Sequence, residues 1–577
     1  MKTKHTLKYT LLLCAGLWIS LTGCDDFLDI NDDPNNPTEG AVSLLLPSAQ
    51  VDIGGALGNS MGGLSAIPQA YMHQMFERGT TQGDYGVNGS DFEVITPWNI
   101  LYTRALMDIE QIISQGTDLE AWSYVGVAQI MKAYSLSLMV DMYGDVPFSE
   151  AFQGTALVSP FYDDDEVVYN ELFLLLDQGI ENLNKVSSIT MGTDDLFYGG
   201  NLGQWQRFAK TVKLKMYTQI RLVRDVSTEV NALLAENDLI SSSADDFQFV
   251  FGTSTGPENR NSAYVQEYSP GAARYYINPF FYETLAGLNT FGHRGYGEDL
   301  GLVDPRIPYY FYNQIDTIRA STAPENPCSY CYGYNDPGTG NFVVQVPELA
   351  ETGMVSIYMF SFNIDPNEGF AQGTSQSVAG LYPLGGAFDT GPGSAAANFN
   401  GSPTVPQRFL TYYSLKYLEA ELYLTGVATG NDEQAFRDAL QASFSKVNEI
   451  ATGANATPPI PTIPLTDGDE EVNDIEDYID AVMADYVTQD EQGKLEHIMT
   501  QKWIASYGFA CDTYTDYRRT GFPVLHDGNT DNLSVTTQVR DFPFALPWVD
   551  ANLEINANAP PQKLIATDNA RIFWDPN

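Results

Sequence analysis

Positive charge is scarce in this 577-residue chain: 29 Lys and Arg stand against 74 Asp and Glu, a formal net charge of −45. Such a balance makes a poor match for nucleic acid or an anionic lipid surface, since both require cationic patches. Cysteine is also sparse, with Cys14, Cys24, Cys328, Cys331 and Cys511 as the whole inventory. That is too few for a disulfide framework to carry a chain of this length. Histidine is limited to five scattered positions, among them His73, His293, His497 and His526. Cys328-Ser329-Tyr330-Cys331 has the spacing of half a zinc site or a redox pair, but no second pair completes a tetrahedral set. A local loop disulfide or idle thiols are the simpler readings. Beyond the first two dozen residues no apolar run is long enough to cross a bilayer.

What is present begins with Lys2, Lys4 and Lys8, followed by a mostly apolar run from Tyr9 to Thr22. This is the charge-then-hydrophobe plan of a secretory leader, too short for a spanning helix. The leader ends in Leu21-Thr22-Gly23-Cys24, which resembles a bacterial lipobox, so cleavage is expected after residue 23 and lipid on Cys24. A free thiol or half-cystine after an ordinary leader is the competing reading. Several acyl chains hold a protein on a membrane where one does so only marginally. Residues 24–40, rich in Asp, Asn and Pro, suit a flexible tether. Three lysines and no acids leave with the leader, taking the formal charge from −45 to −48.

The remaining chain, 41–577, contains no linker that would divide it. Apolar residues make up 44%, ample for a large core. Helical periodicity dominates about 41–240 and 406–525. The run "AWSYVGVAQIMKAYSLSLMV" predicts a helix buried nearly all round, stopped at Gly144 and Pro147. Further helices are predicted from Trp98 after Pro97, over 166–183, over 203–223 with Trp205, Phe208, Val212, Met216 and Ile220 on one face, and over 408–426, 432–450 and 493–509. Between about 250 and 405, Gly, Pro, Asn and Tyr crowd together and no period lasts, so loops with short strands or helices are expected. The class is mainly α: helix pairs with a large irregular, loop-rich lobe.

Three motifs point towards chemistry, each weakly. Gly58-Asn59-Ser60-Met61-Gly62 fits G-x-S-x-G, but its flanks read as helix, whereas a nucleophile elbow needs a strand before it. "TDGDEE" at 466–471 alternates acids like a calcium loop without the turn glycine at the sixth position. Abundant carboxylates leave a glycosidase pair open, because their separation is a property of the fold. Aromatic residues, at 12%, are more informative, since their faces stack on sugar rings while polar neighbours satisfy hydroxyls. Two regions combine them in loops. One offers Asp84, Tyr85, Asn88 and Phe92; the other offers Tyr275, Tyr276, Tyr309, Tyr310, Tyr330 and Tyr332. For any single tyrosine, a lid on the local core with its hydroxyl in solvent is the alternative.

Taken in order, the lipobox and "FLDINDDPNNPT", "YGDVPFSEAF", "FYDDDEVVYNELFLLLDQGIENL", "DDLFYGGNLGQWQRFAKTVKLKM", "DPRIPYYF", "QKWIASYGF", "DYRRTGFP" and "RIFWDPN" resemble the SusD/RagB family of outer-membrane lipoproteins of Bacteroidota, in its SusD-like branch. Ser414 departs from the glutamate expected ahead of Ala420-Glu421. The resemblance implies tetratricopeptide-like helix pairs stacked as a superhelix, a ligand-binding lobe and no enzyme activity. It also implies a SusC-like TonB-dependent transporter partner, over which the lipoprotein acts as a hinged lid, and a lipid-anchored place on the cell surface. The acids after Cys24 resemble the export signal of such lipoproteins. Glycan is the expected cargo, with peptide as the second reading and an extracellular hydrolase as the third. No cofactor beyond the lipid is expected, and calcium stays open.

Overall fold

The computed structural model describes residues 41–77, 85–269, 274–288, 302–314, 333–335, 342–344, 354, 356, 376–391, 393–394, 396, 401–454, 457–461, 474–527 and 540–576. The chain is mainly α. Its first half contains α1 (Val42–Ala56), α2 (Ala66–Tyr71), α3 (Phe92–Ile100), α4 (Leu106–Asp118), α5 (Trp122–Tyr143), α6 (Asp165–Leu183), α7 (Leu202–Ile220) and α8 (Ser227–Glu236). After the irregular middle come α9 (Tyr412–Leu424), α10 (Asp432–Gly453), α11 (Ile475–Tyr486), α12 (Glu491–Ala505) and α13 (Cys511–Thr520). Successive helices pack as pairs, α4 with α5, α5 with α6, α6 with α7, α9 with α10 and α10 with α11, and the two halves meet where α9 packs on α7 and where α13 packs on α2, α5 and α7.

Helix α5 is the axis of the first half. Every residue in it except Trp122 and Lys132 is buried, as its shortage of charge predicts. It packs so tightly on α6 that a Cβ on Gly126 would stand 2.8 Å from the carbonyl of Gly179. The helix stops at Gly144, whose φ of 68° with ψ of −125° is open only to glycine, and Val146 then bridges to Asp163. Asp164 caps α6 by accepting from the Val167 amide. In α7 the predicted face of Trp205, Phe208, Val212, Met216 and Ile220 is fully buried. Phe208 stacks on Phe247 of β1 (Phe247–Phe249) at 3.9 Å between ring centres.

The helices expected over 203–223 and 493–509 end at Ile220 and Ala505, and two predicted starts differ further. The helix expected from Trp98 begins at Phe92 and carries Pro97 inside it, followed by a π-helical turn over Leu101–Ala105. Proline removes one backbone donor, yet the helix runs on through it to Ile100 before the wider turn begins. The helix expected over 408–426 is a strand, Gln407–Leu410, paired with Phe247–Phe249, and then α9. Thr411 and Ser414 form a reciprocal capping box there, so the serine that departs from the family pattern fixes the helix start.

The C-terminal "RIFWDPN" docks on the first half. Trp574 is fully buried, and its indole donates to Asp141 of α5 at 3.1 Å. The Phe573 amide donates to Asp165 at 2.9 Å. Among the described residues no helix is long and apolar enough to cross a membrane.

Candidate functional site

A two-stranded ribbon, Met75–Glu77 with Tyr275–Ile277, joins the first half to the irregular middle, with Glu77 opposite Tyr275. Around it converge the segment from 85 to 92, the start of the middle, and residues 526 and 542. His73, with a φ of 54°, is the hub: Nε2 lies 2.6 Å from the Tyr85 hydroxyl and Nδ1 lies 2.9 Å from Nδ1 of His526. Each of those contacts needs one donor and one acceptor, so the three side chains share a linked proton arrangement. Phe280 packs on both imidazoles, and Phe542 packs on Tyr85. Glu77 and Glu93 are buried in the same neighbourhood. Burial pushes the Glu77 carboxyl well above the carboxylate range, and its hydrogen bond to Glu93, together with the charge of that residue, pushes it further.

The predicted ligand residues divide by exposure. Tyr85 is buried and spends its hydroxyl on His73. Asn88 is exposed, but its side-chain amide donates to Asp91 at 2.9 Å while its side-chain carbonyl accepts from the Ser90 amide at 3.0 Å. It therefore shapes the loop. Ser90 in turn donates to Asp550 at 2.6 Å, which ties the loop to the C-terminal region. Phe92 is 54% exposed, its ring edge lying over Gly62, and it presents an aromatic face to solvent.

Tyr275, Tyr276, Tyr309 and Tyr310 are all buried, so these rings belong to the core, and the Tyr275 and Tyr309 hydroxyls bond inside the protein rather than to solvent. Tyr275 donates to Gln266 at 3.1 Å, Tyr276 packs on Phe76, and Tyr309 packs on Phe388. Tyr310 stacks on Tyr382 at 4.9 Å. The block "DPRIPYYF" is explained by its arginine. Arg306 is fully buried, held by Asp304 at 2.6 Å, Gln501 at 2.8 Å and Ser443 at 3.0 Å. Asp84, Tyr330 and Tyr332, like Cys24, Cys328, Cys331, His293 and the acidic run 466–471, lie outside the described residues.

Ser60 is buried in a bend between α1 and α2, with helix on both sides. No strand leads into it, so the geometry of a nucleophile elbow is missing. Cys511 is buried, and burial pushes its thiol well up, away from reactivity.

A helical-repeat body that gathers its irregular segments beside one ribbon defines a class of binding scaffold. The sequence matches the family described as "Starch-binding associating with outer membrane" over residues 34–322, and the family described as "Susd and RagB outer membrane lipoprotein" over 308–575. The chain belongs to the SusD/RagB family. A SusD homologue from Bacteroides fragilis has a similar fold, with TM-score 0.63 at 16% identity, 93% of this chain and 99% of that one being covered. A SusD/RagB family protein from Bacteroides thetaiotaomicron gives TM-score 0.63 at 18% identity, with the same coverage of 93% and 99%. A chitin-binding SusD homologue from Flavobacterium johnsoniae gives TM-score 0.58 at 16% identity, covering 92% of this chain and 99% of that one. No curated protein matches the sequence.

Proposed function

We propose that this chain is a lipid-anchored nutrient-binding protein of the cell surface that captures neutral glycans and passes them to a SusC-like TonB-dependent transporter. The observation that carries the reading is membership of an outer-membrane lipoprotein family across both halves of the sequence. Glycan is favoured as cargo because one family description names starch and two similar structures are named as chitin-binding. In this reading Cys24 carries the lipid, 24–40 is the leash, and the face beside Phe92 meets the sugar. The protein binds and releases its cargo without cutting it.

Calorimetry of the mature protein against panels of neutral oligosaccharides and of cationic peptides tests the cargo. Heat with the glycans alone is expected, whereas heat with the peptides alone overturns the assignment in favour of peptide uptake. Phe92→Ala should weaken glycan binding about tenfold, the loss of one stacking surface. Cys24→Ser should move the protein from the membrane pellet to the wash. Release of shortened sugar by the purified protein alone would instead mean a hydrolase.

A further inference from the structure

Away from the ribbon face, the turn after α8, the length of α9 and the middle of α10 line two adjoining open cavities of about 370 and 320 Å³. Both fall in the size range of small-molecule sites. Tyr412 lines both, with Ser241 on one side of it and Ser242 and Ser243 on the other. We propose that this groove is a second carbohydrate site, which seats a short stretch of neutral glycan across the ring of Tyr412.

The platform is held in advance of any ligand. Asp246, buried beneath it, accepts from the Tyr412 backbone amide at 2.7 Å and from Lys446 at 2.9 Å. The Thr411–Ser414 capping box fixes the same residue from the other side. Tyr412 is half-buried, with Lys416 Nζ 5.3 Å from its ring centre. A group so fixed loses little freedom on binding, which is what a stacking surface needs.

The chemistry of the walls selects a polyhydroxylated, uncharged ligand. Ser242, Ser243, Ser445, Gln441 and Asn237 supply hydroxyls and amides that both donate and accept. Most charges are matched inside the groove: Asp246 pairs with Lys446, Glu419 pairs with Lys416 at 2.8 Å, and Asp438 is left as one carboxylate that accepts from the Gln434 side-chain amide. On a chain with a formal charge of −45 the groove carries little net charge, and its single unmatched carboxylate, Asp438, can accept from sugar hydroxyls. None of the groove residues belongs to the ribbon face, so the site is independent of the one proposed above.

The test uses the mature protein with maltotriose, cellotriose and triacetylchitotriose, each at millimolar concentration. Tyr412→Ala removes the platform. Ser445→Trp, at an exposed position of α10, fills the cavity without touching the core. A soaked crystal is expected to show a sugar ring over Tyr412, and each variant should weaken that binding component at least tenfold while Phe92→Ala leaves it intact. The inference is overturned if no trisaccharide gives a ring over Tyr412, or if folded Ser445→Trp binds as the parent does. Binding lost only in Phe92→Ala would sustain the proposed function and overturn this site.

Discussion

Glu421 and Arg519 form a two-pronged ion pair where neither side chain reaches solvent, with Nη2 of Arg519 donating to Oε2 at 2.6 Å. Arg221 donates to the other oxygen of the same carboxylate at 2.6 Å, and Arg519 also donates to Asp516, which pairs with Lys502. The chain of charges stitches α7, α9, α12 and α13 together. Burial opposes the charge on Glu421, but the two arginines outweigh it and hold the carboxyl well below the usual range. Glu421→Gln leaves two buried guanidiniums short of their counter-charge. It should cost about 3–5 kcal/mol in urea unfolding. A depressed native pKa contributes stability above the unfolded value of 4.5 and loses it as pH falls below. The variant should therefore have a flatter acid limb than the parent.

Glu77 behaves in the opposite sense. Its native pKa is raised by burial and by Glu93, so from pH 4.5 upwards the folded state keeps a proton that the unfolded state gives up. Its contribution is complete below pH 4.5 and declines as pH rises. Glu77→Gln keeps a donor for Glu93 and removes the penalty. Melting temperatures should rise at pH 8, by the equivalent of roughly 1–3 kcal/mol, and stay unchanged at pH 4.5.

Gly126 and Gly453 both sit in helices and should respond to alanine with opposite signs. A Cβ on Gly126 would meet the Gly179 carbonyl and Leu183 Cδ2, each at 2.8 Å, so Gly126→Ala should cost about 1–3 kcal/mol by forcing α5 and α6 apart. Nothing lies within 4 Å of a Cβ on Gly453. There alanine should gain roughly 0.5–1 kcal/mol from helix propensity. Denaturant midpoints of the two variants decide it.

Trp574 is the pin that holds the C-terminal segment to α5, through Asp141 and a cation–π contact in which Arg518 lies 4.8 Å from its ring. Trp574→Ala should cost about 3–5 kcal/mol, read by thermal unfolding. Trp574→Phe should recover most of the packing but leave Asp141 without the indole donor. The difference between the two variants isolates that hydrogen bond.

The helical body was legible because its evidence is local. The apolar stripe of α7 and the uncharged run of α5 are read within twenty residues, and Gly144 marks its own stop. The Gln407–Leu410 strand was not legible, because its pairing partner lies about 160 residues earlier. Pro97 misplaced a boundary for a related reason: proline usually opens a helix, and only the packing around α3 decides that this one continues through it.

For the binding face, composition could say that tyrosines crowd into the irregular middle, but not which of them reach solvent. Tyr310 turns inward because Tyr382 stacks on it and Arg306 lies beneath it, and Tyr85 turns inward because His73 and Phe542 claim it. Tyr412, at the head of a helix with no sequence mark beyond its type, is only half-buried, its backbone amide donating to Asp246. The sequence alone determined the class, the helical periodicity and the family, since these depend on residue type and short spacing. Which aromatic rings are core and which are surface was decided only by the tertiary structure, because burial is set by partners brought from distant parts of the chain.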